Sequence, residues 1–232
     1  MENKIIVALD FNSSSQAVEF VDTLDPKLCR LKIGKELFTA AGPNLVETMI
    51  KKKFDVFLDL KFHDIPNTVA NAVKVAADLG VWMLNVHISG GSTMMKSAKD
   101  AIISHGGCKP ILIGVTVLTS ISSAELSEIG IKNDLKDHVV QLAKLAYQSG
   151  LDGVVCSAEE AKLLRNSMPA DFILVTPGIR REQDAAGDQK RVITPSQAIS
   201  NGSDYLVVGR PITQAASPSA ALSAFNSEIA SV

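Results

Sequence analysis

Eight times along the chain, a short apolar run rich in β-branched residues is followed by a stretch with helical patterning. The apolar runs are residues 4–10, 30–34, 55–61, 83–89, 110–119, 153–157, 172–178 and 205–210. Helical patterns fall at 13–24, 44–53, 68–79, 92–104, 135–148, 159–166, 196–200 and 217–229. Nearly continuous apolar strands are those of a parallel sheet covered on both faces. Strict β–α alternation points the same way. Eight strands with eight connections favour closure into a single-domain (β/α)8 TIM barrel over an open, doubly wound sheet. A chain of 232 residues allots about 29 to each unit, which is what a strand, a helix and two short loops require.

Composition narrows the setting. The formal net charge is −2, so no global field draws the chain to nucleic acid or an anionic membrane. No run of 18 apolar residues occurs, which excludes a spanning helix. The first apolar run, Ile5 to Leu9, is too short for a secretory signal. Cys29, Cys108 and Cys156 are far apart and form no C-x-x-C pair, so they read as small core residues. A cytoplasmic protein is the expectation. The chain also lacks G-x-G-x-x-G, G-x-x-x-x-G-K-[ST], G-x-S-x-G and H-E-x-x-H. Dinucleotide binding of the Rossmann kind, P-loop chemistry, a nucleophile elbow and a zincin are therefore disfavoured.

Charges stand where a barrel strand should not tolerate them. Side chains alternate faces along a strand. In the third strand, Phe57, Asp59 and Lys61 share one face, while Val56, Leu58 and Leu60 share the other and turn toward the helices. Asp59 and Lys61 then face the barrel axis. The same alternation turns Asp10 inward with Ile6 and Ala8, and turns Lys32 inward between the outward Leu31 and Ile33. Four charges from three consecutive strands thus meet at the C-terminal end of the barrel, where barrel enzymes place their chemistry. A purely structural ion-pair network is a poor explanation, because desolvation consumes most of the Coulombic gain. His87 ends the fourth strand and is a weaker candidate. His105 and His138 read as solvated surface residues.

The opposite side of the same end suits an anion. Strand seven runs into Thr176-Pro177-Gly178-Ile179-Arg180, and strand eight into Gly209-Arg210-Pro211. Loops after these two strands often hold phosphate in barrels. Gly178 and Gly209 allow close backbone approach. Arg180 and Arg210 supply planar forks. The polar segment 180–191 that follows has no apolar periodicity and is long enough to be either a bland surface loop or a mobile lid.

The segment Asp59-Leu60-Lys61-Phe62-His63-Asp64-Ile65-Pro66-Asn67-Thr68 resembles the D-x-K-x-x-D-I-x-x-T signature of the orotidine 5′-phosphate decarboxylase family. Around it stand Ala8-Leu9-Asp10, Leu31-Lys32, Val117-Leu118-Thr119-Ser120, Pro177 to Arg180, Gln189 and Val208 to Pro211, so the likeness spans essentially the whole chain. The resemblance implies decarboxylation of orotidine 5′-phosphate to uridine 5′-phosphate, with no cofactor and no metal, in a homodimer with its sites at the subunit interface. It implies Lys61 as proton donor to C6, Asp59 beside the departing carboxylate, and Lys32 and Asp10 completing the charged array against the ribose. Asp64, Ile65 and Thr68 would come from the partner subunit, and Thr119 and Ser120 would meet the pyrimidine. Gln189, Arg180, Gly209 and Arg210, beside Pro177, would hold the phosphate.

Two other readings compete. Sugar-phosphate decarboxylases of the same barrel group share a D-x-K-x-x-D run but use magnesium held by a carboxylate at the end of strand two. Lys32 stands there in this chain and would oppose a metal. A catalytically dead barrel that serves as a nucleotide-binding or scaffold protein is the alternative of another class.

Overall fold

In the computed structural model, residues 3–107, 109–182, 184 and 193–232 are described. The chain runs β1 (Ile5–Leu9), α1 (Ser14–Val21), β2 (Arg30–Gly34), α2 (Lys35–Ala41), α3 (Pro43–Lys51), β3 (Val56–Phe62), α4 (Pro66–Asp78), β4 (Met83–His87) and α5 (Gly91–Ile103). It continues β5 (Ile111–Val115), α6 (Ser123–Glu128), α7 (Leu135–Gln148), β6 (Gly153–Val155), α8 (Ala158–Ser167), β7 (Ile173–Thr176), α9 (Pro195–Ser200), β8 (Tyr205–Val208), α10 (Arg210–Thr213) and α11 (Pro218–Ala230). The strands pair in sequence order, all in parallel, and β8 returns to β1 to close the barrel.

All eight strands expected from the apolar runs are present. Six of them (β1 and β4 to β8) end short of the apolar patterning, because the residues that follow leave the ladder at the cavity end, whereas β2 ends at Gly34 as expected and β3 runs one residue further, to Phe62. Three short helices escaped the periodicity: α2, α6 and α10, of seven, six and four residues. Lengths near two turns or less give the 3.6-residue pattern too few repeats to register. Capping side chains mark where helices of either length begin. Ser13 caps α1 through the amide of Gln16, and Ser122, Ser157 and Thr194 form reciprocal capping boxes with Glu125, Glu160 and Gln197.

Alternation along the strands sorts the apolar residues into two cores. Ile5, Val7, Leu9, Leu31, Ile33, Val56 and Leu58 pack outward into the helical layer. Ile6, Ala8, Phe57, Met83, Ile113, Val175, Tyr205 and Val207 fill the barrel interior. The inward assignment of the Ile6, Ala8 and Phe57 faces is therefore observed.

The N-terminal mouth is closed by a cation over aromatic rings. The Arg30 guanidinium lies 4.3 Å from the Trp82 ring centre and 5.0 Å from that of Tyr205. It also donates to the Asp55 carboxylate at 3.2 Å and to the Asn3 carbonyl. Asp152 and Asp204, just ahead of β6 and β8, accept the Leu112 and Leu174 amides at 2.8 and 2.7 Å. These contacts hold one end shut and leave the chemistry to the other.

One irregularity matters for the site. β3 and β4 pair at Leu58↔Leu84 and next at Phe62↔Val86, so the ladder shifts register between them. Within that bulge Lys61 takes a left-handed backbone, φ +53°. Such a conformation strains a residue with a side chain and is typical of sites where the surroundings impose it.

Candidate active site

A cavity of about 860 Å³ opens at the C-terminal ends of the strands. It is lined by Asp10, Lys32, Asp59, Lys61, Thr119, Ser120, Pro177, Arg180, Gly209 and Arg210, among others. Ten residues singled out from the sequence, spread over 200 positions, thus converge on one space. Five of the lining side chains are basic (Lys32, Lys35, Lys61, Arg180, Arg210) and three acidic (Asp10, Glu36, Asp59). A chain of net charge −2 therefore presents a net positive cavity, suited to an anion.

The charged array is ordered. The Lys61 Nζ donates to Asp59 Oδ1 at 2.6 Å. The Lys32 Nζ stands 3.3 Å from Asp59 Oδ2 and 3.6 Å from Asp10 Oδ1. The side chains of Asp59 and Lys32 are nearly buried, while that of Asp10 is 63% exposed at the rim. Burial alone would push the Asp59 carboxyl upward. Lys32, Lys61 and the hydrogen bonds from Lys61 and Asn85 outweigh it and hold Asp59 below the usual carboxylate range. Asp59 is therefore ionised at neutral pH and ties both ammonium groups to fixed positions. Gly34 makes room for this array: a Cβ there would come within 3.3 Å of the Lys32 Nζ.

Across the cavity, the loops after β7 and β8 carry the arginines. Gly178 has φ +80°, a turn few other residues adopt without strain. Arg180 is buried and donates to the Ile179 carbonyl. Its amide donates to the Ile193 carbonyl, next to a parallel bridge between Ile179 and Ile193. The two ends of the polar segment are thus clamped together at the cavity rim. Gln189 and most of the expected lid at 180–191 lie outside the described residues, as does Cys108. Gly209 follows β8 and caps α10, which begins at Arg210.

Other expected residues lie elsewhere. Asp64, Ile65 and Thr68 are exposed at the start of α4 and are absent from the cavity lining of their own chain. The Asp64 side chain accepts the Ile65 amide at 2.6 Å. His87 does not line the cavity. Its ring faces His63 at 5.5 Å between centroids, and burial, helped by His63, Lys35 and Lys61 against the opposing pull of Asp59, lowers its pKa and keeps it neutral. His105 is not solvated, as its position suggested: its side chain is 11% exposed and lies 3.5 Å from Asp78. Cys29 and Cys156 are buried; burial first, then Asp25, pushes the Cys29 thiol up to about 12, so it is unreactive.

Sequence reasoning missed Asn85. This fully buried amide donates to Asp59 Oδ1 at 2.7 Å and accepts the Lys61 amide at 2.8 Å. A signal was available: a lone polar residue in the apolar run Met83-Leu84-Asn85-Val86-His87, on the same face as the inward Met83.

A closed barrel with two lysines paired to one carboxylate at one side of its C-terminal mouth and arginines at the other is that of a (β/α)8 enzyme whose cavity suits an anionic substrate. Residues 3–225 match the model of the orotidine 5′-phosphate decarboxylase / HUMPS family, and the chain belongs to that family. It is 57% identical over 227 residues, 98% of each chain, to orotidine 5′-phosphate decarboxylase of Pseudoalteromonas atlantica. It is also 57% identical to the protein so named in Vibrio cholerae, over 97% of this chain and 98% of that one. The crystal structure of orotidine 5′-phosphate decarboxylase from Lactobacillus acidophilus superposes with a TM-score of 0.89 at 41% identity, covering 98% of this chain and 99% of that chain. Among the described residues, no helix is long and apolar enough to cross a membrane.

Proposed function

We propose that the protein is a carboxy-lyase that converts orotidine 5′-phosphate to uridine 5′-phosphate, the last step of de novo pyrimidine synthesis, in the cytoplasm. The observation that carries this reading is Asp59 held between Lys61 at 2.6 Å and Lys32 at 3.3 Å, in a cavity whose far wall bears Arg180 and Arg210. Cleavage of the bond from C6 to the carboxylate releases CO2 and leaves the electron pair on C6. The Lys61 ammonium stabilises that developing charge and then transfers its proton to C6. Lys32 and Asp10 hold the ribose, and Asp59 stands beside the departing carboxylate. Thr119 and Ser120 meet the pyrimidine edge. Arg180, Arg210, Gly209, Pro177 and Gln189 hold the phosphate. Phosphate binding, remote from the bond that breaks, assembles the charged end. Fixed charges stabilise the carbanion directly, so the reaction needs neither cofactor nor metal.

The active form in this reading is a homodimer in which Asp64, Ile65 and Thr68 complete the partner's site. Their exposure supports it, since Ile65 is 67% exposed and Val75, on the helix that follows it, 61%. Apolar side chains that open to solvent are what an interface covers.

The direct test is the fall in ultraviolet absorbance as orotidine 5′-phosphate is consumed, with a chelator present. Turnover is the expected result. Turnover lost to chelator and restored by magnesium would favour the sugar-phosphate decarboxylases of the same family. Tight nucleotide binding without turnover would favour a dead barrel.

A further inference from the structure

Asn85 touches no part of the cavity, yet it joins the two residues on which the reaction turns. Three observations bear on its role. It lies in the middle of β4, opposite Ile113 of β5 and wholly shielded from solvent. Its side chain faces the bulge where the β3–β4 ladder shifts. Both of its polar groups are used, one on the carboxylate of Asp59 and one on the main chain of Lys61.

The orientation of the amide follows from chemistry. A peptide N–H only donates, so the oxygen of Asn85 must face Lys61. An ionised carboxylate only accepts, so the NH2 group must face Asp59. No other uncharged side chain of this size offers a donor and an acceptor in that fork. A hydroxyl would be too short to span both, and a leucine would leave a buried N–H and a buried carboxylate oxygen each one partner short.

We infer that Asn85 is a positioning residue for the decarboxylation: it holds Lys61 in its left-handed backbone conformation and so aims the ammonium, while fixing the Asp59 carboxylate that the ammonium pairs with. Within a regular stretch a ladder carbonyl would hold the Lys61 amide; here the Asn85 oxygen takes that place, so the bulge and the aim of the lysine depend on one side chain. Geometry at a reacting centre is sensitive to displacements of this kind, about 1 Å costing on the order of 100-fold in rate. The inference rests on the reading of Lys61 and Asp59 as the reacting pair.

Two variants test it. Asn85→Ala should lower kcat by about 100-fold and leave KM and the affinity for uridine 5′-phosphate within a few-fold, because the phosphate end is untouched. Asn85→Asp keeps the shape and adds a titratable group. The charged and titratable groups around it are Asp59 and Lys61 on β3, Lys32 on β2 through Asp59, and the neutral His87 further along β4; β5 contributes Ile113 and no charge. Only a protonated carboxyl at position 85 can donate to Asp59 while accepting the Lys61 amide. Activity of Asn85→Asp should therefore rise as pH falls, a slope the unaltered enzyme lacks over the same range. If the alanine variant fails to fold, the isosteric aspartate carries the test alone. A kcat within two-fold of the unaltered enzyme, or a loss of thermal stability with normal kcat in the folded fraction, would overturn the inference. So would an Asn85→Asp pH profile that matches the unaltered one. Lys61→Ala is the control: if that variant keeps its rate, the reading of the site fails rather than the role of Asn85.

Discussion

Lys61 and Asp59 stand two residues apart on one strand, both face the barrel axis, and their charged ends meet at 2.6 Å. Regular alternation brings both to the same face, and the bulge after Leu58 then turns the Lys61 backbone to φ +53°. The pair is thus a product of strand period and of a break in it.

The first prediction concerns Lys61. In the proposed mechanism Lys61 is the proton donor and the cation nearest the reacting carbon, so Lys61→Ala should lower turnover by about 1,000-fold or more. Circular dichroism and thermal melting should stay close to normal. A rate near that of the unaltered protein would remove Lys61 from its assigned role.

A second prediction follows from the depressed pKa of Asp59. The unfolded chain takes up the proton at a higher pH than the folded one. The stabilising contribution of the ionised carboxylate is therefore complete above the ordinary aspartate value and is lost as pH falls through the lower, folded value. At neutral pH, Asp59→Asn should cost about 3 kcal/mol, because Lys32 and Lys61, whose side chains are only 12% and 24% exposed, lose the carboxylate they share. Urea unfolding of both proteins across the acid range should show this gap narrowing as pH drops below about 4. A gap that stays constant would contradict the ion-pair origin of the shift.

The proposed phosphate end gives a third. Arg210→Ala should weaken binding of uridine 5′-phosphate by about 10- to 100-fold, the worth of a charge-assisted contact, and that of uridine little. Calorimetry on the two ligands measures the difference. Equal losses would place the phosphate elsewhere.

Subunit mixing tests the shared site. Asp64→Ala and Lys61→Ala proteins should each be nearly inactive. Random exchange makes half the dimers mixed, each with one intact site, so activity should return to about a quarter of normal. No recovery on mixing, with exchange verified by mass, would mean that Asp64 serves its own chain.

The fifth prediction concerns the barrel itself. A Cβ at Gly153 would stand 2.2 Å from the Ile173 carbonyl oxygen in the β6–β7 ladder. Backbone on both sides cannot yield easily, so Gly153→Ala should destabilise the protein by about 3 kcal/mol in chemical denaturation.

Much of this molecule is legible in its order of residues. The eight strands, their parallel arrangement and the faces of Asp10, Lys32, Asp59 and Lys61 follow from periodicity, because a period of two and a buried outer face leave one side for polar groups. The glycine and arginine at the ends of the last two strands are legible as well, because close backbone approach beside a guanidinium is a pattern suited to an anion. What tertiary structure alone decided is the joining of distant parts. No local pattern says that Asn85 reaches across to the backbone of Lys61, since the contact depends on a register shift between two strands. Nor does it say that His105 finds Asp78, or that Asp64, Ile65 and Thr68 stay outside their own cavity. Sequence carries the pattern along each strand, which local sterics and burial determine; contacts between strands depend on how the closed barrel sets their register.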